Sequence, residues 1–203
     1  YGKEKDYYDE MEPKLANLVV EYKRAVYDSP YRDYLEGKIG KVAFKSMELE
    51  LKSFDEKLIP LMQEENALIT RYDKIIAGAK IEWEGETLNL SLLRPYLTSN
   101  DRSVRKKAYG KYSAFFLSHA EELDEIYDGL VKNRTEQARQ MGYENYIELG
   151  YYRMNRNCYD KDMVENYRNQ VKDYFVPFAE KLHERRRQRL GVDKLSYIDT
   201  GVY

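Results

Sequence analysis

The chain has 203 residues, enough for one large domain or two small ones and for a core burying roughly 70% of the unfolded surface. Its 36 acidic and 34 basic residues nearly cancel to a net charge of -2, which argues against a dedicated nucleic-acid binder, whose domain is plainly basic. The lone cysteine, Cys158, excludes an internal disulfide and a cysteine-based zinc cluster and points to a reducing, cytoplasmic setting, and no run of about 18 apolar residues marks a membrane span.

The first predicted helix covers residues 3–27, where Tyr8, Met11, Leu15, Leu18, Tyr22, Ala25 and Val26 recur at three and four and Pro13 starts or kinks the rise. Asp28, Ser29 and Pro30 stop it, and Gly37 and Gly40 punctuate a short segment. Two more helices are predicted over 42–51 and 54–77. Residues 80–90, KIEWEGETLNL, then change period: Ile81 and Trp83 alternate with acids around a Glu84-Gly85 turn, predicting one β-hairpin.

Thr98, Ser99 and Asn100 offer capping oxygens to a single helix predicted over 101–141, roughly 60 Å long, which Gly142 ends. Its residues Arg105, Tyr109, Tyr112, Phe116, His119, Leu123, Ile126 and Leu130 repeat at four and three, and a second apolar face implies burial on more than one side. A short helical piece over 144–149, broken at Gly150, leads to a helix over 160–190 that Asp160 caps, Pro177 bends and Gly191 ends. The tail DKLSYIDTGVY reads as extended. Because the chain opens at Tyr1 without methionine and stops after that tail, an internal piece of a longer protein is expected. The expected architecture is mainly α, with long antiparallel helices, one short hairpin and a single helical domain or segment over 1–203.

Little in the chain points to chemistry. His183 opens the phrase HERRR, but a zinc-peptidase helix needs H-E-x-x-H so that two imidazoles one turn apart reach one metal, and the fifth position here is Arg187. His119 lies on an apolar stripe and reads as a core histidine bonded to a neighbour. No metal ligand and no catalytic residue is assigned. Neither a glycine-rich phosphate loop nor a G-x-S-x-G elbow occurs, and acid pairs such as Glu64-Glu65 and Glu121-Glu122 read as solvated faces. The run Arg185-Arg186-Arg187 with Arg189 could grip phosphate, an acidic peptide terminus or RNA, although cations at a helix C-terminus also oppose the helix dipole. Tyrosine is abundant, 21 of 203, and its apolar body with a polar tip suits helices around a wet channel as well as core edges.

Three phrases carry a resemblance: LLRPYLTSNDRSVRKKAY, ELDEIYDGLVKNRTEQARQMGYENYIELGYYRMNR, and YDKDMVENYRNQVKDYFVPFAEKLHERRRQRLGVDKL. They are similar to oligoendopeptidase F and its relatives, zinc metallopeptidases of the thimet-oligopeptidase-like clan, and the similarity runs the length of the chain. It implies a section of a larger two-lobed helical peptidase, built around a channel that admits short peptides. In that family an H-E-x-x-H helix and a downstream glutamate hold the zinc, and none of these ligands maps onto a residue here. The resemblance therefore implies zinc in the parent enzyme, none in this chain, and an isolated segment that is catalytically inactive. Its implied partners are short peptides and the flanking parts of the same polypeptide, with no nucleic acid and no membrane.

The stretch ELGYYRMNRNCYD, residues 148–160, is then expected to be a corner between two long helices. A corner can present side chains into a channel, which makes Tyr151, Arg153 and Arg156 candidates for the channel wall, with the arginines pairing either with peptide carboxylates or with structural acids. Cys158 reads as a buried or idle thiol. A competing reading is a non-enzymatic helical adaptor that presents the 101–141 helix to a partner.

Overall fold

The computed structural model describes residue 7 and residues 11–201. The helix expected over 3–27 is described as α1, Glu12–Tyr27, with a proline in its first turn; its expected beginning, Tyr8 included, lies outside the described residues. The chain is mainly α, and by backbone packing it divides into two compact units. One unit comprises residues 1–71 and 125–160, the other residues 72–124 and 161–203.

In the first unit α1 is followed by α2 (Arg32–Ile39), α3 (Lys41–Ser53), a 3-10 turn at Glu56–Leu58, and the greater part of α4, Ile59–Ala77. α2 was not expected, because Gly37 sits inside it. α3 packs against α1, α2 and the later corner helix α8, Tyr146–Arg153, and buries Phe44 and Leu49. The remaining long element, α7 (Ala120–Gln140), meets α4 where Gly129 faces Leu68; a Cβ there would stand 3.2 Å from the Leu68 side chain.

In the second unit β1 (Ile81–Trp83) and β2 (Glu86–Leu88) pair antiparallel with Ile81 opposite Leu88 and Trp83 opposite Glu86. Glu84 and Gly85 both have positive φ, 51° and 91°, the signature of the tight turn whose twist suits a hairpin. Support for this short ribbon comes from α5 (Leu90–Leu97) and α6 (Arg102–Ser118): Ile81, Trp83, Leu88, Leu93 and Ala108 form one buried cluster. Asn89 Oδ1 accepts from Leu92 N to start α5, and Asp101 Oδ1 accepts from Ser103 N at 2.7 Å to start α6, so Asp101 and not residues 98–100 provides the cap.

The single helix expected over 101–141 is two. Ser118 Oγ donates to the Phe115 carbonyl at 2.7 Å, and His119 Nδ1 stands 3.0 Å from the same oxygen. With that acceptor taken by side chains, the His119 amide donates to Phe116 instead, and α7 begins afresh with Leu123 N bonded to His119 O. The uninterrupted seam on which the adaptor reading rests is absent.

Past the corner, the helix expected over 160–190 is α9 (Lys161–Gln170), a π-helical turn at Val171–Phe175, and α10 (Val176–Leu190). The interruption precedes Pro177, which takes a place in the first turn of α10. The tail is not simply extended. Ser196 caps a 3-10 turn, Tyr197–Asp199, whose Asp199 is 0% exposed and accepts from Arg102 Nε and Nη2, each at 3.0 Å, from Arg105 Nη2 at 2.9 Å and from Ser196 N at 2.9 Å. Arg105, placed by sequence on an apolar stripe, is indeed buried, with its remaining donors on the carbonyls of Ile198, Ser99 and Asn100.

Candidate functional site

The corner that holds the sequence-predicted candidates is built by two helix ends. Gly142, at φ 85°, lets Tyr143 N reach back to Ala138 O and closes α7; Asn145 Oδ1 then accepts from Ile147 N and opens α8. α8 ends in the same way but without glycine. Asn155 takes φ 50°, its amide donates to Tyr152 O at 2.9 Å, and the Arg156 amide donates to Tyr151 O at 3.2 Å. This is the paired backbone closure that ordinarily uses glycine, and asparagine is the residue that tolerates the left-handed position next best.

The three candidates part company here. Arg153 turns toward α4 and α7: its Nη1 donates to Glu65 Oε2 at 3.1 Å and lies 3.4 Å from the Tyr146 hydroxyl, and its Nη2 donates to Gln137 Oε1. Glu65 also accepts from Arg134 Nε at 2.7 Å and from Gln137 Nε2 at 2.8 Å. Gln137 Nε2 in turn donates to Asn133 Oδ1, and Asn133 Nδ2 to Leu61 O and Glu64 Oε2, both at 2.9 Å. Glu65 is only 9% exposed and Gln137 not at all, which corrects the expectation of a solvated face for Glu65, while Glu64 is exposed as expected. Burial pushes the Glu65 carboxyl up, but hydrogen bonds from Arg134 and Gln137 and the charges of Arg153 and Arg134 outweigh it, so Glu65 titrates below the ordinary range.

Arg156 and Tyr151 come together without joining that network. The Arg156 guanidinium lies 4.2 Å from the Tyr151 ring centroid and 5.5 Å from that of Tyr159, and its Nη2 donates to Met154 Sδ at 3.4 Å. Nearby, the Tyr152 hydroxyl donates to Glu148 at 2.6 Å; that bond, with burial, pushes its pKa up to about 12. Tyr143 donates to the Lys52 carbonyl at 2.8 Å and ties the corner to α3. Cys158 is exposed rather than buried.

Elsewhere, His183 is exposed and His119 is half-buried at the helix break. Arg187 forks onto Glu184 with two 2.8 Å bonds, which hold the Glu184 carboxyl down at about 2, and it donates to Val192 O past the end of α10. Among the described residues no group of three or more His, Cys, Asp or Glu converges to hold a metal, so the residues present do not fit a catalytic zinc site. Among the described residues no helix is long and apolar enough to cross a membrane.

Sequence reasoning missed Glu65, Asn133, Arg134 and Gln137. The signal was present in α7, where Asn133 and Gln137 continue the four-three spacing of Ile126 and Leu130 and so had to be buried polar groups with partners.

Residues 1–54 match the Peptidase M3 N-terminal domain, and residues 95–203 match Peptidase family M3. No curated protein matches the chain. Among solved structures, a protein assigned as oligoendopeptidase F from Bacillus anthracis str. Ames is 42% identical, with a TM-score of 0.95 over 100% of this chain and 37% of that one. A second X-ray structure assigned as oligoendopeptidase F (46% identity, TM-score 0.95) and PZ peptidase A with an inhibitor (46% identity, TM-score 0.96) also match 100% of this chain and 36% of theirs. The chain thus spans little more than a third of the solved proteins it resembles, and with the family match at 95–203 covering over half of its residues, it belongs to peptidase family M3.

Proposed function

We propose that this chain is a scaffold and channel-wall section of a cytoplasmic zinc metallo-oligoendopeptidase that hydrolyses short peptides, and that the section by itself catalyses nothing. The observation that carries this reading is the end-to-end match, at TM-scores of 0.95 and 0.96, to oligoendopeptidase F and PZ peptidase structures that are much longer. In such an enzyme the metal polarises the scissile carbonyl and activates water. In that reading this chain's part is to shape and support the channel.

A second feature favours a section that packs against more polypeptide. An uncharged stripe runs through α9, the π turn and α10, with Tyr174 77% exposed and Tyr167, Phe175 and Phe178 also more than half exposed. It borders a shallow groove of about 520 Å³ lined by Tyr167, Gln170, Val171, Tyr174, Phe175 and Phe178. Aromatic surface of this kind marks a face that something covers, and the remaining part of the same polypeptide is the occupant of matching chemistry. Tyr151, Arg153 and Arg156 are the wall candidates, Arg153 acting through the Glu65 network and Arg156 by direct contact.

The reading frame that contains this chain tests the proposal. An H-E-x-x-H helix encoded downstream, with hydrolysis of short fluorogenic peptides by the whole product, supports it. A stop directly after Tyr203 with no such helix elsewhere in the product sinks it.

A further inference from the structure

The guanidinium of Arg156 is held in place by ring contacts, and among the described residues its one hydrogen bond goes to sulfur. The backbone closure at Asn155 sets residue 156 over residue 151, the pair that commonly makes an apolar contact in this motif, and here the contact is a cation on the Tyr151 ring, with Tyr159 as a second ring. Of five N–H groups, the one engaged goes to Met154 Sδ, a weak acceptor. Among the described residues no carboxylate pairs with Arg156. The neighbouring arginines differ: Arg153 and Arg134 share Glu65, and Arg32, likewise stacked on Tyr27 and Phe44, has Glu36 at 3.9 Å.

We infer that Arg156 is a preformed carboxylate-binding site, with its ring contacts fixing the guanidinium plane and leaving its edge to grip a planar anion by two parallel hydrogen bonds. Tyrosine stacking restrains a side chain that otherwise loses rotamer entropy on binding, and the fork matches a carboxylate better than an ammonium does. The inference rests on the channel-wall reading. The carboxylate then has two sources: the peptide, through its C-terminus or an acidic side chain, or an acid in the remaining part of the same polypeptide.

The test uses the complete M3 peptidase polypeptide containing this chain, with Arg156→Leu, which still packs on both rings, and Arg156→Lys, which keeps the charge. Matched fluorogenic peptides carrying Glu or Gln, each as free acid and amide, give kcat/KM, and thermal melts give stability. A roughly tenfold preference for the carboxylate-bearing peptide, lost through KM in Arg156→Leu and partly kept in Arg156→Lys, supports the peptide as source. Unchanged peptide discrimination with a Tm lower by several degrees in Arg156→Leu, partly regained in Arg156→Lys, supports a carboxylate from the polypeptide. Discrimination and Tm both unchanged in Arg156→Leu overturn the inference. If the wild-type protein cleaves none of the peptides, the peptidase reading fails, and the melts still decide the site.

Discussion

Arg153 and Glu65, 88 residues apart in sequence, meet through a 3.1 Å hydrogen bond that fastens the corner helix α8 to α4. Arg134 shares the same carboxylate from α7, so one acid on α4 pairs with two guanidinium groups from two other helices. Removing the acid strands both cations, whereas removing one arginine leaves the other. Glu65→Ala is therefore expected to lower unfolding free energy by about 2–4 kcal/mol, more than Arg134→Ala, whose side chain is partly exposed. Urea unfolding of the three proteins checks the order, and a Glu65→Ala no less stable than Arg134→Ala contradicts it.

Acid should loosen both units. Asp199 titrates well below its ordinary value because Arg102, then the Ser196 amide and Arg105, donate to its charged form against the opposing effect of burial. Glu65 is also depressed. A carboxyl group depressed on folding adds stability that is full above its unfolded pKa and is lost as pH falls toward the folded value. Stability should thus be flat near neutrality and fall below about pH 4.5. Asp199→Asn should be less stable than wild type by about 3 kcal/mol at pH 7, with the gap narrowing at pH 3. Thermal melts across this range test the sign; a gap that widens on acidification rules it out.

Asn155 occupies a left-handed backbone position that costs a residue with an ordinary Cβ about 1–2 kcal/mol. Asn155→Ala should destabilise by about 1 kcal/mol and Asn155→Gly should stay within about 0.5 kcal/mol of wild type. Equal stability of the alanine and glycine variants in denaturant unfolding would remove the closure from the account of how Arg156 is placed.

Trp83 is the wide residue of the hairpin core, its ring centroid 4.6 Å from that of Tyr96 at a 39° tilt and 4.9 Å from Lys107 Nζ. Among the described residues its buried Nε1 meets no hydrogen-bond acceptor. Trp83→Phe should consequently cost little, about 1 kcal/mol, while Trp83→Ala should cost about 3–5 kcal/mol through the cavity it leaves. Chemical denaturation of the pair reads the difference.

What could be read from the sequence depended on the range of each interaction. The hairpin was legible because Ile81 and Trp83 alternate with acids and Glu84-Gly85 is a local turn signal; Gly142 and Gly191 mark helix ends for equally local reasons. The break at His119 was hidden because it comes from Ser118 and His119 side chains contending for one carbonyl, inside a stretch whose apolar spacing runs on unchanged. α2 and α5 were missed because Gly37 and Pro95 lie within them. In the candidate site, Tyr151, Arg153 and Arg156 were identifiable as a group, but not their separation: Glu65 meets partners 69 to 88 residues away, and only the Asn155 closure explains why Arg156 faces Tyr151 instead.

The central claim is that the chain supports a zinc peptidase without holding the catalytic metal. Metal content and cleavage of a short fluorogenic peptide, measured side by side for the 203-residue chain and for the whole polypeptide that contains it, test this most directly. The expected result is stoichiometric zinc with chelator-sensitive cleavage in the whole polypeptide and neither in the chain alone. Tight stoichiometric zinc and zinc-dependent cleavage by the 203-residue chain itself would contradict it.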